Sequence, residues 1–232
     1  MQSRHLLRVL TWNVRDMLGD PLAVHRVLRD ADADVVCLQE VYRYPRSRPR
    51  LAALARQSGM LFACGGRVSA GTAVLTSYRA DVSRVAAEPL PVSGLLTRPR
   101  GWAGVVAGLP GTRRVAVLSI HLGLAAGERA DHVRRVLGVV ERSGAPAVAA
   151  GDLNEPPGGP SWGALRQRLR DPGEGSGPTF SAANPRRRID AVLVDPAVEV
   201  VSYGWPAGVS EDDVRAASDH RPVLAELRVE EC

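Results

Sequence analysis

Short apolar runs recur along the 232 residues, separated by polar and Gly/Pro-rich stretches. Leu6 to Leu10, Val35 to Leu38, Thr72 to Leu75, Val115 to Ile120, Ala147 to Ala150, Ala191 to Val194 and Val223 to Leu227 are rich in Val and Leu. Unbroken runs of this kind predict strands buried on both faces. Helical spacing appears between some of them. Asp20-Pro21 offers a cap and a first-turn proline, after which Val24, Val27, Leu28 and Ala31 form one stripe. Glu128 to Arg142 places Val133, Val136, Leu137 and Val140 on one face, with Gly144 as the stop. Ser161 to Leu169 is a third helix, burying Trp162, Leu165 and Leu169. Hairpin-like stretches fill the interval from 60 to 120.

Strands interleaved with few helices predict an α/β (α+β) sandwich, in which two sheets face each other and helices cover the outside. No linker-like segment divides the chain, so residues 1–232 are expected to form a single domain. Arg43 to Arg50, Pro91 to Arg100, Glu155 to Pro160 and Asp171 to Arg188 read as loops beside the polar motifs.

Composition narrows the class. The chain is 45% hydrophobic, yet no run of about 18 apolar residues could span a bilayer. The opening Met1 to His5 and Leu6 to Leu10 are too short and interrupted for a signal peptide, so a cytoplasmic protein is expected, a monomer by default. Cys37, Cys64 and Cys232 lack metal-site or disulfide spacing; the first two read as small core hydrophobes. A net charge of +5 points toward polyanionic partners. However, all 30 basic residues are Arg, a bias that GC-rich coding also produces. With 4% aromatic residues, base-stacking platforms are sparse, and any nucleic acid would be held by its backbone.

The candidate chemistry sits at strand ends. Thr11-Trp12-Asn13 presents an amide; Leu38-Gln39-Glu40 presents a carboxylate where charge is costly unless paired or metal-bound. In Gly151-Asp152-Leu153-Asn154, Gly permits close backbone approach and the alternate Asp152 and Asn154 share a side. Asp152 suits proton abstraction from water, and Asn154 suits hydrogen bonding to a phosphoryl oxygen. Asp190 enters a strand where it could orient an imidazole. Asp219 and His220 point different ways, the acid suited to a metal and the imidazole to a scissile phosphate. His121 ends another strand. His5, His25 and His132 lack such company and read as surface residues.

Taken in order, these segments resemble the endonuclease/exonuclease/phosphatase superfamily. The matching pieces are Thr11 to Val14, Leu38 to Val41, Gly71 to Thr76, Ser119 to Leu122, Gly151 to Asn154, Arg188 to Asp190 and Ser218 to Pro222. The resemblance implies a four-layer α/β sandwich and Mg²⁺ or Mn²⁺ held by Glu40 with Asn13 and Asp219. It also implies that Asp152 positions the attacking water with Asn154, that Asp190 orients His220, and that His220 and His121 meet the phosphate. The abasic-site endonuclease branch carries a Lys soon after the Leu-Gln-Glu motif. Val41-Tyr42-Arg43 and His121-Leu122 look instead like deoxyribonuclease-, sphingomyelinase- or inositol-phosphatase-type relatives.

Arginines supply the remaining hint. Arg43, Arg46, Arg48 and Arg50 follow Glu40, Arg98 and Arg100 lie in a loop, and Arg186 to Arg188 lead into Asp190. Guanidinium groups suit phosphate oxygens, so Arg43 and Arg188 are the candidate substrate contacts. The expected activity is metal-dependent phosphodiester hydrolysis by in-line attack of water, with a nuclease slightly favoured. The alternatives are a phospholipid, inositol-phosphate or nucleotide phosphoesterase, or an inactive nucleic-acid-binding member.

Overall fold

The structure is a computed structural model that describes residues 6–94 and 97–231. The chain runs β1 (Leu6–Asn13), α1 (Pro21–Asp30), β2 (Val35–Gln39), α2 (Ser47–Gln57), β3 (Leu61–Gly66), β4 (Thr72–Thr76), β5 (Asp81–Leu90) and β6 (Arg100–Gly108). It continues through β7 (Val115–His121), α3 (Ala126–Arg142), β8 (Ala147–Asp152), α4 (Pro160–Leu165), β9 (Asp190–Val194), β10 (Glu199–Gly204), α5 (Glu211–Ala217) and β11 (Val223–Arg228). One mixed sheet has the order β10-β11-β1-β2-β4-β3 and the other β5-β6-β7-β8-β9.

Three apolar layers hold four layers of structure together. Leu7, Val9, Cys37, Val117, Val148, Val192 and Leu227 interdigitate between the sheets. The outer face of the first sheet sets Leu10, Trp12 and Leu38 against Val24 and Leu28 of α1, Leu51 of α2 and Val214 of α5. The outer face of the second packs Leu118, Ile120 and Leu193 on Val133, Val136, Trp162 and Leu165. Each central strand therefore buries both faces, which accounts for its unbroken apolar sequence. Every buried Val or Leu contributes about 1.5–3 kcal/mol relative to exposure. The four-layer α/β sandwich expected from the sequence is the observed fold.

Register brings the polar strand ends to one rim. Parallel pairing sets Asn13 beside Gln39, and His121 beside Asp152. Antiparallel pairing then sets Asp152 beside Asp190. On the other side of β1, pairing of Thr11 with Val223 brings the segment ahead of β11 next to Asn13.

Several expectations are corrected. The loop read over Arg43 to Arg50 holds the start of α2, whose Leu51, Leu54 and Ala55 are buried; Pro49 and the arginines mask that stripe. The short α5, with Ser210 as its cap, carries too few apolar positions to show a period. The third helix ends at Leu165 rather than Leu169, although Leu169 is still buried. His132 is fully buried instead of lying on the surface. His25 is half-buried, its ring nitrogen 3.0 Å from Ser58 Oγ. Cys37 and Cys64 are buried free thiols. The readings at Met1 to His5 and Cys232 lie outside the described residues.

Gly151 is required by close strand approach, because a Cβ there would stand 1.9 Å from the Ile120 carbonyl oxygen. Gly151→Ala is expected to lower unfolding free energy by about 3 kcal/mol, the upper range for overpacking, measured by urea denaturation. An unchanged midpoint would show that β7 and β8 separate at no cost.

Candidate active site

Asp152, at the end of β8, is the centre of a buried polar network. Its Oδ2 accepts a hydrogen bond from Asn13 Nδ2 at 3.0 Å, and its Oδ1 accepts one from the Asn154 backbone N–H at 2.9 Å. His121 Nε2 and His220 Nε2 lie 3.4 and 3.9 Å from Oδ2. Asn154 adopts a left-handed backbone, φ 51°, which Asn tolerates better than most residues. Its Nδ2 donates to Leu122 O at 2.9 Å and lies 3.2 Å from His121 Nε2.

His220 is held from three sides. Its Nδ1 lies 3.1 and 3.0 Å from the two carboxylate oxygens of Asp190. Ser218 Oγ donates to Asn13 O at 2.6 Å and accepts from the His220 N–H at 3.1 Å. Trp12 Nε1 donates to His220 O at 2.9 Å, which fastens the segment to β1. The Phe180 ring lies 4.9 Å from the imidazole, centroid to centroid.

Glu40 follows β2 in a left-handed turn, φ 53°. The preceding Gln39 is buried, and its Nε2 donates to Ser119 Oγ at 3.0 Å across the two sheets. That bond fixes the strand end from which Glu40 projects. Glu40 Oε1 accepts from Arg98 Nη1 at 3.0 Å and stands 4.0 Å from His121 Nε2. Arg98 also binds Asp16, and Arg43 Nη2 lies 3.6 Å from that same acid. Asp219 is the most open of the candidate acids, with Arg15 Nε 3.8 Å away. Arg100, the first residue of β6, is buried, and burial lowers its pKa against the pull of the Glu40 and Asp152 charges.

Asn13, Asp152, Asn154, His121, Asp190 and His220 are thus linked in one network, with Glu40 and Arg43 joined at its edge. Arg188 is placed elsewhere. Its guanidinium pairs with Asp171 at 2.5 and 3.1 Å and stacks 4.6 Å from the Trp162 ring, so the group expected to meet a phosphate is engaged in a buried ion pair. Asp16 was missed by the sequence reading; it sits in a turn where Arg15, Asp16 and Met17 all have positive φ, and no periodic pattern marks it.

Burial would raise the Asp152 pKa, but hydrogen bonding to His121 and the charges of His121 and His220 hold it well below the carboxylate range. Burial would lower the His220 pKa; the charge and hydrogen bond of Asp190, then Asp152, push it up to about 9. Burial pushes Asp190 upward, against the pull of His220. The direction that governs the pair is the upward one on His220, because carboxylates flank both of its nitrogens. An ionised Asp152 beside a protonated His220 can accept a proton on one side and hold one on the other.

Ligand atoms of Asp152, Asp190 and His220 lie within 4.8 Å of one another, a group that could hold a metal ion. Together with Glu40, Asn13 and Asp219 the donors are mostly hard oxygens, which fits a hard divalent cation.

Residues 10–220 match the family model described as Endonuclease/Exonuclease/phosphatase family. The chain belongs to this family. As an endonuclease/exonuclease/phosphatase-family protein it is a phosphoesterase hydrolase, and the family is metal-dependent. No curated protein matches the sequence. Among solved structures, the endonuclease/exonuclease/phosphatase from Beutenbergia cavernae DSM 12333 is 28% identical, with TM-score 0.75 over 98% of this chain and 72% of that one. The Bacteroides thetaiotaomicron VPI-5482 mannosyl-6-phosphatase Bt3783 is 21% identical, with TM-score 0.76 over 95% and 99%. D. rerio TDP2 complexed with single strand DNA product is 17% identical, with TM-score 0.69 over 96% and 98%. Among the described residues no helix is long and apolar enough to cross a membrane.

Two measurements check this description. The raised His220 pKa stabilises the fold fully below the unfolded value of about 6.5, and that contribution is lost as pH rises through about 9. Asp190→Asn should move the imidazole resonance titration down and flatten stability across that window; an unmoved titration would contradict the pairing. Arg188→Ala should cost about 3 kcal/mol of stability by leaving buried Asp171 unpaired, a loss that thermal unfolding with and without substrate analogue separates from any binding defect.

Proposed function

We propose that the protein hydrolyses phosphodiesters with Mg²⁺ or Mn²⁺, nucleic acid being slightly favoured as substrate, and that residues 1–232 form one catalytic domain. The observation that carries this is the Asp190–His220 pair facing ionised Asp152, with Asn13, His121 and Asn154 fixing the geometry and Glu40 beside them. In this reading Asp152 takes the proton of the attacking water. His220, kept protonated and oriented by Asp190, presents its Nε2 proton to the phosphoryl or leaving oxygen. His121, placed by Asn154, contacts the same phosphate.

Glu40, with Asn13 and Asp219, would hold the cation, whose contribution is to neutralise the phosphate and stabilise the departing oxygen. Arg43 remains a proposed phosphate contact at the rim. Arg100 joins it as a buried guanidinium near the charges of Glu40 and Asp152, suited to an anionic oxygen of the substrate. The nucleic-acid preference draws on the exposed Arg186 and Arg187 beside Phe180 and on the likeness to a fold that binds a single-strand DNA product. A small phosphoester is the second reading, favoured by the likeness to a mannosyl-6-phosphatase. The free thiols of Cys37 and Cys64 agree with a reducing, cytoplasmic setting.

Supercoiled plasmid and a chromogenic phosphodiester, each assayed with Mg²⁺, Mn²⁺ or EDTA, test the proposal. Metal-dependent nicking is expected, falling by about a thousandfold in His220→Ala and in Glu40→Ala. Turnover of the small diester without nicking rejects the nuclease choice, and turnover that persists in EDTA rejects the metal.

A further inference from the structure

Between β5 and β6, Pro91 and Ser93 are tied to α3, and Arg98 reaches the acids beside the site. His132 Nε2 stands 2.6 Å from Pro91 O, while its Nδ1 accepts from the Gly123 N–H at 3.1 Å. These bonds fit one neutral tautomer, which donates from Nε2, and burial lowers the His132 pKa accordingly. Glu128 Oε1 accepts from the N–H and Oγ of Ser93 at 2.7 and 2.6 Å. The same helix, α3, thus holds both the turn after His121 and the start of the segment that follows β5. Arg98, further along, reaches Glu40 with Nη1 at 3.0 Å and Asp16 with Nη2. Its side chain is 47% exposed, against 13% for Glu40 and 15% for Asp16. The acids face inward, and the guanidinium closes over them.

We propose that Arg98 is the resident counter-ion of the Glu40 carboxylate and must leave it for a divalent cation to bind, with Asp16 retaining the displaced guanidinium at the rim. This rests on the reading of Glu40 as a metal ligand. A cation coordinated to Glu40 would sit within a few ångströms of Nη1, and two positive groups so close repel even where water partly screens them. The carboxylate that attracts the metal is therefore already neutralised, and metal affinity is set by the difference between the two cations. Arg43 provides the internal comparison. It carries the same charge near Asp16 but has no bond to Glu40.

Mn²⁺ binding to the full chain, measured by calorimetry on wild type, Arg98→Ala, Arg43→Ala and Glu40→Ala, tests the inference. Arg98→Ala is expected to tighten Mn²⁺ binding about fivefold, the scale of a partly exposed ion pair, while Arg43→Ala changes it by less than about twofold. Equal tightening in both arginine variants, or none in Arg98→Ala, overturns the inference, because the guanidinium then acts only as distant charge or not at all. Mn²⁺ affinity unaltered in Glu40→Ala removes Glu40 as a ligand and the inference with it. Loss of binding in Glu40→Ala beside unchanged affinity in Arg98→Ala overturns the inference alone.

Discussion

The buried carboxylate of Asp152 is the constraint on which the molecule turns. An ionised group removed from water is tolerated only where hydrogen bonds and opposite charge replace its hydration. Here the replacements come from both sheets: Asn13 from β1, His121 from β7, the Asn154 N–H just past β8, and His220 from the segment before β11. The sheets must therefore pack at one relative position. Gln39 to Ser119 and Trp12 to His220 enforce the same position from neighbouring strands. Sheet packing and site geometry are one problem, because sliding either sheet would strand a charge in the interior.

This dependence explains which parts of the fold were legible. Strands such as β2, β7 and β8 bury every residue, so their apolar runs stood out and their ends could be located. β5 and β10 lie at sheet edges and bury little of their length, so β5 showed only as a hairpin-like stretch and β10 left no apolar run to mark it. In α2 and α5 only a few positions are buried, among arginines in one and acids in the other. Burial on both faces makes a strand visible in sequence; an element that buries a few side chains on one side leaves little trace.

The site followed the same logic. Asn13, Glu40, His121, Asp152, Asp190 and His220 were legible because each adjoins a visible strand end, and register then set the ends side by side. The engagement of Arg188 by Asp171 and Trp162 was not legible, because nothing local announces a buried ion pair. His132 is a different failure. It shares the inner stripe of α3 with Arg129, Val133 and Val136, so the helical period contained it, and a reading restricted to apolar residues passed it over.

Net charge says less about substrate than the local balance at the rim. Many arginines are matched by acids away from the rim, on the surface as with Arg26 and Asp213 or buried as with Arg129 and Glu155. At the rim the acids Asp16, Glu40, Asp152, Asp190 and Asp219 are set against Arg15, Arg43, Arg98, Arg100 and protonated His220, a balance close to one for one. Such a surface has little intrinsic pull on a phosphate. A divalent cation would tip it positive, and the phosphate would gain its attraction from that change rather than from the overall charge of the chain. On the proposed reading, the acids that enclose the site would serve specificity as well as ligation, since a rim balanced in charge has little hold on a polyanion until a cation is bound.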